Sequence, residues 1–188
     1  MSTKARATIE DLYEVDGKAE LVGGEIVHMS PTGRAPSRAG LRLLQSLSAY
    51  EERTGLGQLY PDNTGFAVDL PNRGSFSPDV AYDTREIRVK PGVDVDMDYI
   101  DGPPSLAIEI RSKHDYGPSA ERKIAAKIAD YFAAGTQVVW DVDLRGENVV
   151  RVYRANEPTS PTIYRRGDVA EAEPVLPGWS MPVNNLFR

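Results

Sequence analysis

Residues 105 to 113, with the sequence SLAIEIRSK, constrain the fold more than any other segment. Leu106, Ile108 and Ile110 alternate with other side chains, and this period of two predicts a β-strand with two different faces. The segment is mostly apolar, so we expect the strand to be largely buried. Glu109 stands in its middle, and burying a carboxylate is costly unless it has a partner. The strand is therefore a candidate both for the core and for a functional site.

Hydrophobic periodicity and turn residues predict further elements along the chain. The predicted helices cover residues 8–15, 36–55 and 118–134, and Gly55 supplies a helix stop. Residues 19–30 predict a hairpin that turns at Gly23-Gly24. The other predicted strands cover residues 65–70, 77–82, 137–143 and 148–154, and residues 83–104 form a polar loop. This order of elements favours an α/β fold built on a mixed sheet.

Apolar stripes predict which faces of the two longer helices are buried. The first stripe consists of Leu41, Leu44, Leu47 and Tyr50. The second consists of Ala120, Ile124, Ile128, Tyr131 and Phe132. Lys127 lies at the border of the second stripe, so its stem could run along apolar surface and bring the ammonium towards the sheet. The alternative is an ordinary boundary lysine on an amphipathic helix.

Composition limits the class of protein. A chain of 188 residues is long enough for one domain with a core and short for two, so we expect a single domain over residues 1–188. The absence of cysteine excludes disulfides, zinc-thiolate sites and cysteine nucleophiles. No apolar run is long enough for a membrane span and no secretory signal is visible, which predicts a cytoplasmic protein. The net charge of -6 argues mildly against non-specific attraction to nucleic acid, without excluding a local basic groove.

Two carboxylates on neighbouring predicted strands form the main chemical candidate. Asp79 lies in the strand before the one that carries Glu109. Carboxylates a few ångströms apart repel unless one is protonated or a cation bridges them. Mg²⁺ is commonly held by one or two carboxylates together with waters and phosphates. The alternative is that Glu109 faces water on an exposed sheet face, paired with Arg111.

Five segments in this order resemble the PD-(D/E)XK nuclease superfamily, and within it the Uma-two branch of restriction-endonuclease-like bacterial proteins. They are AELVGGEIVHMSPTG, SPDVAY, SLAIEIRS, AAKIADYFAAGTQVVWDVD and LPGWSMPVNNLF. Each segment alone is weak evidence for the resemblance, but together the five segments run through nearly the whole chain. The resemblance implies a restriction-endonuclease-like fold, in which a mixed central β-sheet is flanked by α-helices and preceded by an N-terminal hairpin.

The resemblance also implies a metal site. Asp79, Glu109 and the backbone carbonyl of Ile110 would hold Mg²⁺ or Mn²⁺ as the cofactor. Glu20 matches an acidic residue of this branch and is a further catalytic candidate that could complete the site. Glu25 is a weaker candidate for the same role.

The catalytic lysine of the superfamily normally stands two residues after the glutamate, where this chain has Arg111. The Uma-two branch takes it instead from the next helix, in a K-x-x-x-Y-x-x-x-G pattern that Lys127, Tyr131 and Gly135 match. Lys127 would orient the attacking water or stabilise charge on the phosphorane. Arg111 becomes a candidate for binding a neighbouring phosphate. Pro36 stands where related sequences often carry a histidine, so any role of that histidine is absent or displaced.

Arg34, Arg38 and Arg42 are spaced four apart at the start of the first long helix. They predict either a basic ridge for phosphates, with Arg38 as a substrate-binding candidate, or an ordinary solvated face.

These observations predict a metal-dependent phosphodiester hydrolase, with a DNA endonuclease favoured and a homodimer expected because two strands need two active sites. Two alternatives stay open. One is a nuclease-fold module that binds nucleic acid or protein with little or no hydrolysis, and the other is a nuclease that acts on RNA.

Overall fold

The computed structural model describes residues 6–86, 92, 94 and 96–187. Its helices are α1 (Ile9–Tyr13), α2 (Arg34–Thr54) and α3 (Pro118–Ala134), with a 3₁₀ helix at Val183–Phe187. Its strands are β1 (Ala19–Val22), β2 (Glu25–His28), β3 (Gln58–Pro61), β4 (Phe66–Leu70), β5 (Arg73–Phe76), β6 (Val80–Asp83), β7 (Ile100–Asp101), β8 (Leu106–Ile110), β9 (Val138–Asp143), β10 (Val149–Arg154), β11 (Glu157–Arg165), β12 (Val169–Glu171) and β13 (Ser180–Pro182).

A six-stranded mixed sheet forms the centre of the fold, in the order β11-β10-β9-β8-β6-β3. The β8 and β9 strands run parallel, joined by the α3 crossover, while the other neighbours are antiparallel. A second sheet, β2-β1-β5-β4-β7, carries the N-terminal hairpin at one edge. The predicted α/β fold with a mixed central sheet is therefore confirmed.

The helices cover opposite faces of the central sheet, as amphipathic sequences require. One core cluster packs α2 against Ile108 and Trp140, and another packs α3 against Ala81 and Ala107. The predicted stripe of α2 was wrong at Leu41, which is 50% exposed. The buried residues of this helix are Ala39, Leu43, Leu47 and Tyr50. They keep the helical repeat on a face rotated from the predicted one.

The predicted hairpin is present, with Val22 paired to Glu25 across the turn. Gly23 and Gly24 both adopt positive φ, 62° and 78°, which L side chains rarely accept. Val22 also pairs with Arg73 of β5, so the hairpin continues the second sheet. This pairing carries the inner face of β1 towards α3.

Several observed strands fall in segments for which the sequence predicted no strand. The sequence of β5 begins Arg-Gly, and β11 contains Pro158 and Pro161, residues that weaken a strand pattern. The β11 strand lies at a sheet edge, where proline is tolerated. The predicted loop 83–104 contains β7, and its residues 87–91, 93 and 95 lie outside the described residues. Among the helices that the structure describes, none has the length and apolar character needed to cross a membrane.

Candidate functional site

Asp79 and Glu109 lie on the face of the central sheet that α3 covers. Val80 of β6 pairs with Ile108 of β8, which puts the two strands side by side. Side chains alternate along a strand, so Asp79 shares a face with Ala81, which packs in the α3 core cluster. Glu109 shares that face by the same alternation. The sheet therefore directs both carboxylates towards the helix.

The Lys127 ammonium lies between two carboxylates from the two sheets. Its Nζ is 2.9 Å from Oε1 of Glu20 on β1 and 2.8 Å from Oε1 of Glu109 on β8. The Lys127 side chain is 15% exposed, against 3% for that of Glu20 and 24% for that of Glu109. Three of the residues singled out in the sequence thus meet in one ion-pair cluster.

The spacing of the lysine pattern has a direct structural reason. Tyr131 follows Lys127 by one helical turn and lies on the same helix face. Its hydroxyl donates a hydrogen bond of 2.6 Å to the same Glu109 oxygen that Lys127 contacts. Its ring stacks on Phe76 with centroids 4.0 Å apart, which fixes its orientation. Gly135 ends the helix with a φ of 114° that favours glycine.

Glu20 is held by more than Lys127. Arg73 donates to its Oε2 at 2.7 Å, and the backbone N–H of Ser77 donates to its Oε1 at 2.8 Å. Arg73 is itself fixed by a 2.8 Å contact to Asp130 of α3. The sequence offered no signal for Arg73 or Ser77, because they reach Glu20 only through the pairing of β1 with β5. Glu25, the weaker candidate, lies exposed on β2.

Asp79 belongs to a second ion-pair cluster, built around Lys18. Its Oδ2 accepts a 2.7 Å hydrogen bond from the backbone N–H of Ile110, and its Oδ1 lies 3.2 Å from the Lys18 ammonium. The same ammonium lies 2.5 Å from Oδ1 of Asp62. In an extended strand the N–H and C=O of one residue leave on the same side, so the Ile110 carbonyl also points to the Asp79 side. Lys18 and Asp62 were not predicted from the sequence, although Lys18 precedes Glu20 by two residues and so shares its side of the chain.

The electrostatics of the ion-pair cluster around Lys127 favour a charged lysine. Burial disfavours the ammonium of Lys127, but Glu109 and Glu20 outweigh burial and raise its pKa above the ordinary value. Burial also opposes ionisation of Glu20, yet Lys127 and Arg73 prevail and lower its pKa. Glu109 behaves differently, because burial, with Asp79 and Glu20 adding to it, raises its pKa against the pull of Lys127. Because its own pKa is raised, Lys127 is protonated at neutral pH.

Both ion-pair clusters border one cleft of about 420 Å³, a volume typical of ligand sites. Lys18, Asp62, Asp79, Glu109 and Lys127 are among the residues that line it.

The donor atoms of the cleft fit a hard divalent cation. Asp79 and Glu109 supply carboxylate oxygens and Ile110 a carbonyl, which are the ligand types of Mg²⁺ and Mn²⁺. The residues that the structure describes contain no group of three His, Cys, Asp or Glu side chains able to hold a metal. Mg²⁺ usually keeps several waters and takes only one or two carboxylates, so this small donor set is compatible with it.

Arg111 is engaged differently from its predicted contact with phosphate. Its Nε and Nη2 each lie 2.7 Å from an oxygen of Asp141, and its Nη1 and Nη2 lie 2.5 and 3.0 Å from the oxygens of Glu121. The residue is only 7% exposed. Arg111 lines the cleft, but these four hydrogen bonds to protein carboxylates engage the groups that would bind a phosphate, so its predicted phosphate contact stays a prediction that the geometry does not favour. Glu109 contacts Lys127 and Tyr131, so the alternative of a solvated Glu109 paired with Arg111 was wrong.

The structure does not bring Arg38 to the cleft. Arg38 is exposed on α2, whereas Pro36, Ser37 and Gly40 line a small cavity that adjoins the cleft at Asp79. At about 100° per residue, Arg38 points away from the side of the helix that holds Pro36 and Gly40. Its predicted substrate contact therefore lacks support from the geometry.

Comparison with known proteins adds a family and a fold. A family model described as "Putative restriction endonuclease", named Uma2, matches residues 7–184. A solved structure described as a "putative nuclease belonging to DUF820" from Anabaena variabilis ATCC 29413 aligns with a TM-score of 0.74 and 16% sequence identity, over 96% of this chain and 97% of that one. At this identity the likeness shows a shared fold. No protein with a curated description matches the chain. Since the family model spans nearly the whole sequence, this chain belongs to the Uma2 family, the Uma-two branch that its motifs resemble.

Proposed function

We propose that this chain is a divalent-metal-dependent nuclease that hydrolyses phosphodiester bonds, with DNA as its substrate. The observation that carries the proposal is the position of the Lys127 ammonium, 2.8 Å from Glu109 in a cleft that Asp79 also lines. Family membership supports the same activity. A charged amine beside two carboxylates on adjacent strands provides the groups that phosphoryl chemistry requires.

Each residue has a distinct part in the proposed mechanism. Asp79, Glu109 and the Ile110 carbonyl would hold Mg²⁺ or Mn²⁺. When bound, such an ion polarises the phosphate and lowers the pKa of a bound water. Lys127 donates hydrogen bonds to developing negative charge from its ammonium, which lies 2.8 Å from Glu109.

Glu20 and Tyr131 act through these groups as positioning residues. Glu20 contacts the Lys127 ammonium from the hairpin side, while Tyr131 donates to Glu109 from α3. Together they fix the distance between the amine and the carboxylate before substrate arrives, which is the preorganisation that catalysis exploits.

A homodimer and a DNA substrate stay predictions, and RNA offers the same scissile bond. The binding-module alternative has one observation in its favour. Each of the two proposed metal-binding carboxylates already contacts a lysine, Asp79 with Lys18 and Glu109 with Lys127, so both have a cation beside them without a metal. Such a module would bind nucleic acid without cutting it.

Asp79→Asn is expected to reduce cleavage by about 100-fold or more, a loss typical when a preorganised electrostatic contact is removed. The measurement is the rate of nicking of supercoiled plasmid with Mg²⁺ or Mn²⁺, compared with EDTA, and a labelled RNA is run in parallel. Asp115→Asn is the matched control, because Asp115 lines the same cleft but its carboxylate is bonded to the backbone N–H of Ser112. Equal rates for wild type and Asp79→Asn would refute the mechanism. Plasmid binding without metal-dependent cleavage would favour the binding module.

A further inference from the structure

Lys18 connects the proposed metal site to a carboxylate outside it. It lies just before β1, and its ammonium is 3.2 Å from Oδ1 of Asp79 and 2.5 Å from Oδ1 of Asp62, which follows β3. The Lys18 side chain is 16% exposed, whereas that of Asp62 is 56% exposed. The ammonium therefore sits between a recessed carboxylate and a solvated one.

The two oxygens of Asp79 have different partners. Oδ2 accepts the backbone N–H of Ile110 at 2.7 Å, a contact that the strand geometry keeps in place. Oδ1 is the oxygen that Lys18 contacts. A divalent ion bound to Asp79 through Oδ1 would meet the ammonium at the same oxygen, and two cations this close repel strongly. The ion and Lys18 cannot both keep this position.

We propose that Lys18 is a built-in competitor of the metal ion, which neutralises Asp79 in the metal-free protein and withdraws to Asp62 when a divalent ion binds. This inference rests on the proposed metal site. Asp62 is suited to receive the ammonium, because it already makes the shorter of the two contacts. The backbone N–H of Asn63 donates a 2.8 Å hydrogen bond to the same Asp62 oxygen and holds it in place for Lys18. Lys18 and Asp62 thus set how tightly the cleft holds its metal.

Lys127 is not equivalent to Lys18 in this respect. Its two partners, Glu20 and Glu109, have side chains only 3% and 24% exposed, and Arg73 and Tyr131 anchor them further. Moving this ammonium away would take one of two cations from the buried Glu20 and leave only Arg73 beside it, and breaking a buried ion pair is costly. Lys127 is therefore the fixed cation of the site and Lys18 the exchangeable one.

The test is calorimetric titration of Mn²⁺ into wild type, Lys18→Met, Asp62→Asn and the double variant. Lys18→Met is expected to bind Mn²⁺ about tenfold more tightly, within the range usual for coupled binding. Asp62→Asn is expected to bind it severalfold more weakly, because the displaced ammonium loses its charged partner. In the Lys18→Met background the Asp62→Asn change is expected to have no effect on Mn²⁺ affinity, because Asp62 then has no ammonium to receive.

Thermal unfolding gives a second readout that does not involve activity. In EDTA, Lys18→Met is expected to unfold at a lower temperature than wild type, because Asp79 and Glu109 repel each other more strongly without the ammonium. Saturating Mn²⁺ is expected to raise its melting temperature by more than it raises that of wild type. Lys113→Met, which removes an exposed lysine shortly after β8, is the charge-matched control and should follow wild type.

The outcomes separate this inference from the proposed function. If wild type binds Mn²⁺ and Lys18→Met binds it equally or more weakly, the competitor role is refuted while the metal site stands. If neither protein binds Mn²⁺ at millimolar concentration, the metal site and the competitor role both fall. Should Asp62→Asn weaken binding equally with and without Lys18, Asp62 acts on the metal directly and the exchange is refuted.

Discussion

Lys127→Met is expected to lower metal-dependent plasmid cleavage by about 100-fold or more, the scale of loss when a preorganised donor to a transition state is removed. Methionine keeps much of the length and apolar stem of lysine but carries no charge. The substitution therefore removes the ammonium that contacts both Glu20 and Glu109. The measurement is the single-turnover nicking rate at saturating Mg²⁺, with circular dichroism to verify folding.

Lys123→Met is the matched control for this change. Lys123 lies one turn before Lys127 on α3 and is exposed, so its replacement removes the same charge from the same helix. We expect this variant to keep a rate within a few-fold of wild type. If both variants cut equally well, the ammonium of Lys127 has no part in the chemistry.

Arg111→Met is expected to lower the free energy of unfolding by about 3 kcal/mol, the cost typical of removing one partner from a buried ion pair. Asp141 is 1% exposed and would lose both of its 2.7 Å contacts. Arg151, at 3.3 Å, would compensate only in part. Urea unfolding followed by tryptophan fluorescence measures the change.

The control is Arg122→Met on the exposed side of α3, which is expected to change stability by less than about 0.5 kcal/mol. The predicted phosphate contact of Arg111 would give the opposite pattern. In that case stability would stay near that of wild type and only KM for DNA would rise. A normal unfolding midpoint for Arg111→Met would therefore contradict the buried role that the structure indicates.

Local periodicity predicted the parts of the fold whose signal is local. The alternation around Glu109 predicted β8, and the glycine pair predicted the hairpin, because each pattern is contained within a few residues. It failed for β5 and β11, where arginine, glycine and proline weaken the pattern and pairing with neighbouring strands decides the structure. The buried face of α2 was predicted with an error in rotation about the helix axis, because several neighbouring leucines fit more than one apolar stripe.

The site divides in the same way. Asp79, Glu109 and Lys127 were found through strand order, helix spacing and family resemblance. Lys18 and Asp62 were not found, because their contact joins positions 44 residues apart and only the approach of the two sheets creates it. Arg111 was assigned from its position after Glu109, while its actual partners, Asp141 and Glu121, come from the next strand and helix.

The proposed mechanism requires that Asp79 and Glu109 share a divalent ion in the cleft beside Lys127. A crystal soaked in Mn²⁺ and measured at the manganese absorption edge tests it most directly. We expect an anomalous peak about 2.1 to 2.3 Å from an oxygen of each carboxylate, close to the distances hard divalent ions adopt. A soaked crystal with no peak at these carboxylates, or with manganese bound only elsewhere on the molecule, would contradict the claim.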